Sequence, residues 1–317
     1  MILHCMNRTI VIAAGFLIAS AGLSSPPARA QSIEDLVKTL GVRDIARGYL
    51  QPVADAIGAG FNSGFYHSAA VPRGFHVYGG VKATWIFIPP ANRQFVATLP
   101  AELTALGYPS SVTTASAFGS KGAVVRSSTD TTRYPSFTLP NGIDSDQFML
   151  LVPQISVGSI LGSEIVLRGI PPIMLDPAVG RVSLLGVGVK HSTTQYAELP
   201  FDIAVMAAAQ RFTLDDVLKV TNYNVNVILS VDLLAFTLYA GAGYEGYQIE
   251  ASYRYKPDPA NSAPGLDKET NFSLDFSGLN RRITLGMNIQ VIPLVDVSID
   301  YGFGAYDTAT LGIGFAI

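Results

Sequence analysis

Residues 281–303, RRITLGMNIQVIPLVDVSIDYGF, carry the pattern from which the fold is read. Ile283, Leu285, Met287, Ile289 and Val291 take every second position, with Arg282, Thr284, Gly286, Asn288 and Gln290 between them. After a short turn at Ile292-Pro293, Val295, Val297, Ile299, Tyr301 and Phe303 alternate with Asp296, Ser298, Asp300 and Gly302. A period of two puts successive side chains on opposite faces of a strand. About ten such residues is the length a tilted strand needs to cross a hydrocarbon layer, greasy side out and polar side in.

The alternation extends in both directions from this stretch. Leu311, Ile313, Phe315 and Ile317 stand against Thr310, Gly312, Gly314 and Ala316 at the C-terminus. Tyr223, Val225, Val227, Leu229 and Val231 oppose Asn222, Asn224, Asn226 and Ser230. Leu234, Phe236, Leu238, Ala240 and Ala242 oppose Thr237, Tyr239, Gly241 and Gly243. Tyr247, Ile249, Ala251, Tyr253 and Tyr255 read as a further apolar face, with Gln248, Glu250, Ser252, Arg254 and Lys256 turned away from it. Residues 201–210, 187–190 and 75–87 repeat the theme. A soluble β-sandwich also alternates, but its strands usually run about five or six residues. Tyr and Phe gather near segment ends (Tyr244, Tyr247, Tyr253, Tyr255, Tyr301, Phe303, Tyr306), as aromatic girdles do at a lipid boundary. Ten strands read clearly, 63–69 and 270–277 raise the count to twelve, and a hairpin in 115–127 would make fourteen. The expected fold is therefore all-β: a transmembrane antiparallel β-barrel of about 10–14 strands, with twelve the expected number. Thr310, Gly312, Phe315 and Ile317 also follow the pattern with which outer-membrane barrels end, an apolar strand that the barrel-assembly machinery must receive before it aggregates.

The start of the chain gives the compartment. Arg8, the apolar run 9–23 and Ala28-Arg29-Ala30 have the three parts of a cleaved secretory signal, so residues 1–30 are expected to be removed. Cys5, the single cysteine, leaves with them, and disulfides are excluded from the mature chain. Hydrophobic residues make up 49% of the chain and the mean hydropathy is +0.33. After the signal, however, no segment reaches eighteen uninterrupted apolar residues, which excludes helical spanning. A formal charge of −3 gives no basic face for nucleic acid. Export and alternation together place the protein in the cell outer membrane, in contact with its lipid.

Residues 31–62 lack the alternation. Ile33, Leu36, Val37 and Leu40 share a helical face, while Gly41 and Pro52 divide the region into short helices, the last at Pro52–Ile57. They form either a periplasmic cap or a plug in the lumen, ahead of a barrel at 63–317. Residues 89–146, rich in Ser, Thr, Gly and Pro, read as a long irregular loop with some structure of its own. Residues 214–220 read as one helical turn, and 257–268 as a second loop.

The segments GAGFNSGFYHSA (58–69), GSEIVLRGIPPI (162–173) and LLGVGVKHS (184–192) resemble an uncharacterised family of predicted bacterial outer-membrane β-barrel proteins. That family is itself distantly similar to the long-chain fatty-acid transporters. The resemblance covers most of the mature chain and rests on structural glycines and barrel strands. It implies a barrel with an N-terminal hatch in its lumen, at the place that 31–62 occupies here.

No zinc-protease, P-loop or nucleophile-elbow motif is present, and no cofactor or metal set is expected. His67-Ser68 and His191-Ser192 are neighbours that point to opposite faces of a strand, so neither forms a nucleophile–base pair by itself. The protein is read as a non-enzyme. Lys82, Glu164, Arg168, Lys190, Asp202, Glu250, Arg254, Arg282, Asp296 and Asp300 are the candidate lumen-lining charges. A charge facing lipid at the midplane would cost about 2–4 kcal/mol, so they are expected to point inward. They either rigidify the wall or set the field in a narrow pore. The expected function is passive transport of small or hydrophobic molecules. A closed structural or adhesive barrel displaying 89–146 is the alternative, and a membrane-embedded hydrolase the third reading.

Overall fold

A strand with one apolar and one polar face cannot stand alone; ten of them here share both faces by closing into a ring. In the computed structural model the described residues are 42–129, 134, 136–176, 180–193, 196, 199–234, 236–255 and 270–316. The expected signal at 1–30 and residues 31–41 lie outside them. Within the described chain run α1 (Val42–Asn62), β1 (His76–Phe87), β2 (Gln94–Thr98), α2 (Ala101–Ala105), β3 (Ser111–Ala115), β4 (Val124–Val125) and β5 (Phe137–Thr138). The remaining strands are β6 (Gln147–Ile160), β7 (Ser163–Asp176), β8 (Gly180–Ser192), β9 (Asp202–Leu214), β10 (Leu218–Leu233), β11 (Phe236–Tyr255), β12 (Thr270–Ile292), β13 (Val295–Phe303) and β14 (Thr308–Ala316).

The chain divides into two units. The barrel unit comprises 55–87, 147–251 and 275–317, and its strands close in the order β1-β14-β13-β12-β11-β10-β9-β8-β7-β6. β1 pairs on one side with β14, Tyr78 opposite Ala316, and on the other with β6, Phe87 opposite Gln147. Closure leaves a ten-strand antiparallel barrel, not twelve. Residues 63–69 are not a strand, and 270–277 is the start of the 23-residue β12. The expected helical turn at 214–220 is a tight hairpin between β9 and β10.

The two faces sort as the alternation requires. Val225, Val227 and Leu229 on β10 are about half exposed and point outward, whereas Asn222, Asn224, Asn226 and Ser230 are buried inside. One segment breaks ranks. β11 runs unbroken for 20 residues, so the phase set by Tyr239 carries through to Tyr247 and Ile249, which are buried in the lumen, while Gln248 and Glu250 face out. This reverses the expected side of the segment: inside, the Tyr247 ring covers Gly58 and Gly278 while its hydroxyl donates to Asp55, and Ile249 stands opposite the buried Val220. Tyr306 is likewise buried; Tyr244, Tyr301 and Phe303 are outward, and Tyr301 stacks on Phe87.

The second unit takes in the described residues of 42–54, 88–146 and 252–274. Here α1 brings Ile45 into a core with Ala97, Leu99, Leu103, Tyr108, Val125 and Leu139. The β2–β3 hairpin replaces the one expected at 115–127, and β4 pairs with β5. The Ala117 amide bonds the Tyr49 carbonyl at 3.0 Å. Residues 89–146 are thus a folded segment rather than an irregular loop. α1 itself is a single helix through Pro52, not a pair of short ones. The residue four before Pro52, whose carbonyl a proline ring crowds, is Gly48, and any side chain there would strike the Phe95 ring.

Candidate functional site

The lumen of the barrel unit is filled by the chain's own residues 55–69. Helix α1 can fit there because its last two turns are small. A Cβ on Gly58 would run into the Tyr247 ring, and one on Gly60 would lie 2.7 Å from Ile86 and 2.8 Å from Leu150. Each glycine costs about 1 kcal/mol of helix propensity relative to alanine, a cost that the confined space explains. The helix stops at Asn62, and Gly64 takes the left-handed backbone (φ 72°) that suits a glycine after a helix end. An extended stretch then runs on to Val71, with Phe65, Tyr66, Ala69 and Val71 buried.

A helix ending in a closed space leaves carbonyls without partners, and here the barrel wall supplies the donors. Arg168 gives Nη1 to the Phe61 carbonyl (3.0 Å) and Nη2 to the Ser63 carbonyl (2.8 Å), while its Nε binds Gln154 Oε1 (3.0 Å). Gln210 Nε2 reaches the same Phe61 carbonyl at 2.7 Å. Asn222 Nδ2 donates to the Gly58 carbonyl (3.1 Å), and Gln154 Nε2 to that of Phe65 (3.1 Å). Further along, Lys190 Nζ donates to the Ser68 carbonyl at 3.2 Å. The positive Arg168 also meets the negative end of the helix dipole and lies over the Phe65 ring, 3.5 Å from its centroid. Side-chain contacts add to this. Asn224 Nδ2 bonds Asn62 Oδ1, Ser63 Oγ meets Thr308 Oγ1, the Ala69 amide donates to Ser230 Oγ, and Tyr247 donates to Asp55.

Of the expected lumen charges, most are inside and paired. Glu164 accepts Lys190 Nζ and His76 Nε2, each at 3.3 Å. Arg282 grips Glu245 with two bonds, 2.6 and 2.8 Å, and gives a third to Thr308 Oγ1 at 2.8 Å. Lys82 Nζ donates to Ser298 Oγ, room for it being left by Gly312. Asp300 accepts the Tyr239 hydroxyl, and Asp296 accepts Asn288 Nδ2. Asp202 is half-buried on the inner face. Glu250 is a correction: it lies on the outward face, opposite Lys219 on β10. The Arg254 side chain lies outside the described residues. Around Asn62, Asn224, Glu245, Arg282 and Asp300 only a cavity of about 10 Å³ is left, room for about one water.

Charge was the signal used to pick these residues, so the uncharged donors Gln154, Gln210, Asn222 and Asn224 were passed over. Their inward phase marks them. Glu245 was missed because the face of β11 was misread.

Among the described residues, one pair of neighbouring strands leaves a long stretch unpaired. Between β6 and β7 the ladder runs from Ile160–Ser163 to Gln154–Arg168, and among the described residues it stops there. Residues 147–153 and 169–176 belong to the two strands but do not pair with each other. Pro153, Pro171 and Pro172 have no N–H to give to a ladder, and the β7–β8 register slips between Ile170 and Ile173. Beyond the slip, Ile173 stands opposite the buried Val182 and Met174 opposite the exposed Arg181, and both Ile173 and Met174 are exposed. Apolar side chains line much of the interior at this level: Ile86, Val152 and Leu184 are buried, and Phe212 packs on Phe61 at 5.2 Å, with Lys82 and Thr84 buried beside them.

Outside the barrel, Ser163 Oγ meets His191 Nδ1 at 2.9 Å across β7 and β8. This is the cross-strand contact that the hydrolase reading required. Among the described residues no carboxylate is paired with His191, the partner that orients the imidazole in a triad. Ser192 is buried on the opposite face, as neighbours in a strand must be.

Residues 6–317 match the model described as Family of unknown function (DUF6588). The chain belongs to that family. No curated protein matches it. Among solved structures, it is similar to Neisserial surface protein A at 11% identity and TM-score 0.26, over 77% of this chain and 96% of that one. The toluene transporter TbuX of Ralstonia pickettii aligns at 8% identity and TM-score 0.26, over 82% and 92%. The N-terminal barrel domain of Pseudomonas aeruginosa OprF aligns at 15% and 0.25, over 49% and 96%. At these scores none of the three lends its activity to this chain.

Proposed function

We propose that the protein is an outer-membrane barrel, closed at rest by its own N-terminal segment, that admits small hydrophobic molecules through the seam between β6 and β7. The outward apolar band is the reason for the membrane assignment, and the strand that pairs β1 with β13 is the one read as the C-terminal assembly signal (Thr310, Gly312, Phe315). The seam carries the transport reading. Open sheet edges do not face lipid without a partner, and non-helical or unpaired backbone at membrane depth is tolerated where it lines a cavity or a passage. Here the unpaired edges border an interior lined largely by apolar side chains, below which the Arg168 network bars the way. A solute would enter from the side, displace part of the plug and leave through the lumen.

The test uses intact Gram-negative cells, whose lipopolysaccharide slows apolar permeation, and a radiolabelled alkylbenzene. In the double variant Val152→Cys/Ile170→Cys, the two cysteines stand two residues beyond the last Gln154–Arg168 pair, and oxidation would zip the seam. Uptake above that of cells lacking the protein is expected, lost on oxidation and restored on reduction. Equal uptake by oxidised and reduced protein would remove the seam from the route.

A second reading is favoured by the filled lumen: a barrel that never opens and serves to hold the folded segment 88–146 at a surface. In that case cells with and without the protein take up solute alike, whatever the state of the seam.

A further inference from the structure

The direction of the plug has a topological consequence. Gly60 lies beside Ile86, Gly64 beside Lys82 and Thr310, and the His67 ring is 4.7 Å from that of Tyr78. Read along β1, those levels are its end, its middle and its start. The plug therefore runs antiparallel to β1, entering the lumen at the mouth where β1 ends and reaching the opposite mouth just before β1 begins. Val42–Ala54, the part of α1 that precedes the plug, leads into the lumen from the side where β1 ends.

The connections identify that side. At the mouth where β1 starts, the links at 161–162, 234–235 and 293–294 are two residues each, and the fourth spans 193–201. At the other mouth are the longest connections, 88–146 and 256–269. Outer-membrane barrels keep short turns in the periplasm and long loops outside. The wall donors along the way, Arg168, Gln154, Gln210, Asn222 and Lys190, address main-chain carbonyls rather than particular side chains, which suits a track for passing a polypeptide.

We infer that the chain is threaded through its own barrel, so that the mature N-terminal segment, including Val42–Ala54 of α1, is delivered to the cell surface beside 88–146 as a self-exported module. This rests on the outer-membrane reading above. It does not depend on solute transport.

Cysteine labelling tests it cleanly, since Cys5 is the single cysteine and falls in the expected signal. Exposed positions are chosen: Asp44→Cys on α1, Lys121→Cys in 88–146 and Leu294→Cys in the β12–β13 turn. A membrane-impermeant maleimide is applied to intact and to permeabilised cells, with outer-membrane fractionation of each variant. Expected is labelling of Asp44→Cys and Lys121→Cys on intact cells, and of Leu294→Cys only after permeabilisation. Labelling of Lys121→Cys but not Asp44→Cys on intact cells overturns the threading and leaves the membrane reading standing. Labelling of Leu294→Cys on intact cells reverses the orientation and overturns it too. If the protein fractionates away from the outer membrane, the membrane reading fails and takes the inference with it.

Discussion

Arg168 shows what a buried charge does in this lumen. It is 1% exposed, has no carboxylate bonded to it, and spends its guanidinium on two plug carbonyls, one amide oxygen and the face of Phe65. Arg282 takes the other course and is neutralised by two bonds to Glu245. The difference matters because a buried acceptor left unsatisfied costs about 1–3 kcal/mol. Arg168→Met keeps the length and removes the donors. The plug is expected to lose about 2–4 kcal/mol of local stability, read as faster hydrogen exchange at residues 58–66, while β10 amides exchange as before. Unchanged exchange in the plug would mean that Gln210 and Asn222 suffice.

At the scale of elements, the fit of α1 to the lumen rests on its small residues, and the wall on ladders of which the one between β6 and β7 stops at Gln154–Arg168. Gly58→Val raises helix propensity slightly but pushes a branched side chain into Tyr247. Overpacking of this kind costs about 1–3 kcal/mol, so the variant is expected to seat its plug poorly and to show single-channel conductance in planar bilayers where the parent is silent. Gly58→Ala is the milder control. A silent Gly58→Val channel would show that the wall, and Tyr247 with it, can yield instead.

For the whole molecule, the outward band decides whether the barrel assembles. Val227 sits near the middle of β10, 54% exposed on the apolar face. Val227→Arg is expected to cost about 2–4 kcal/mol in a bilayer, lowering the urea midpoint of vesicle-inserted protein, and Val227→Leu little. If both variants unfold alike, that face does not meet lipid. The same scale separates the two units: Leu99, Leu103 and Tyr108 of 88–146 share a core with Ile45 of α1 instead of with lumen side chains.

Period-two alternation in 282–317 and 222–231 determined the strands and their faces, since a pleated chain has no choice but to send neighbours to opposite sides. It could not set the number of strands. Whether 63–69 joins the wall is decided by hydrogen bonds to residues 89 to 245 positions away, and whether 236–255 is one strand or two depends on its pairing with β10. Tyr247 and Ile249 look lipid-facing by composition alone; the helix that enters the lumen gives the Tyr247 ring a glycine to cover and its hydroxyl a carboxylate to bond. The plug's direction, the seam and the pairing of Arg282 with Glu245 all arise from contacts between residues distant in sequence, which only the closed barrel brings together.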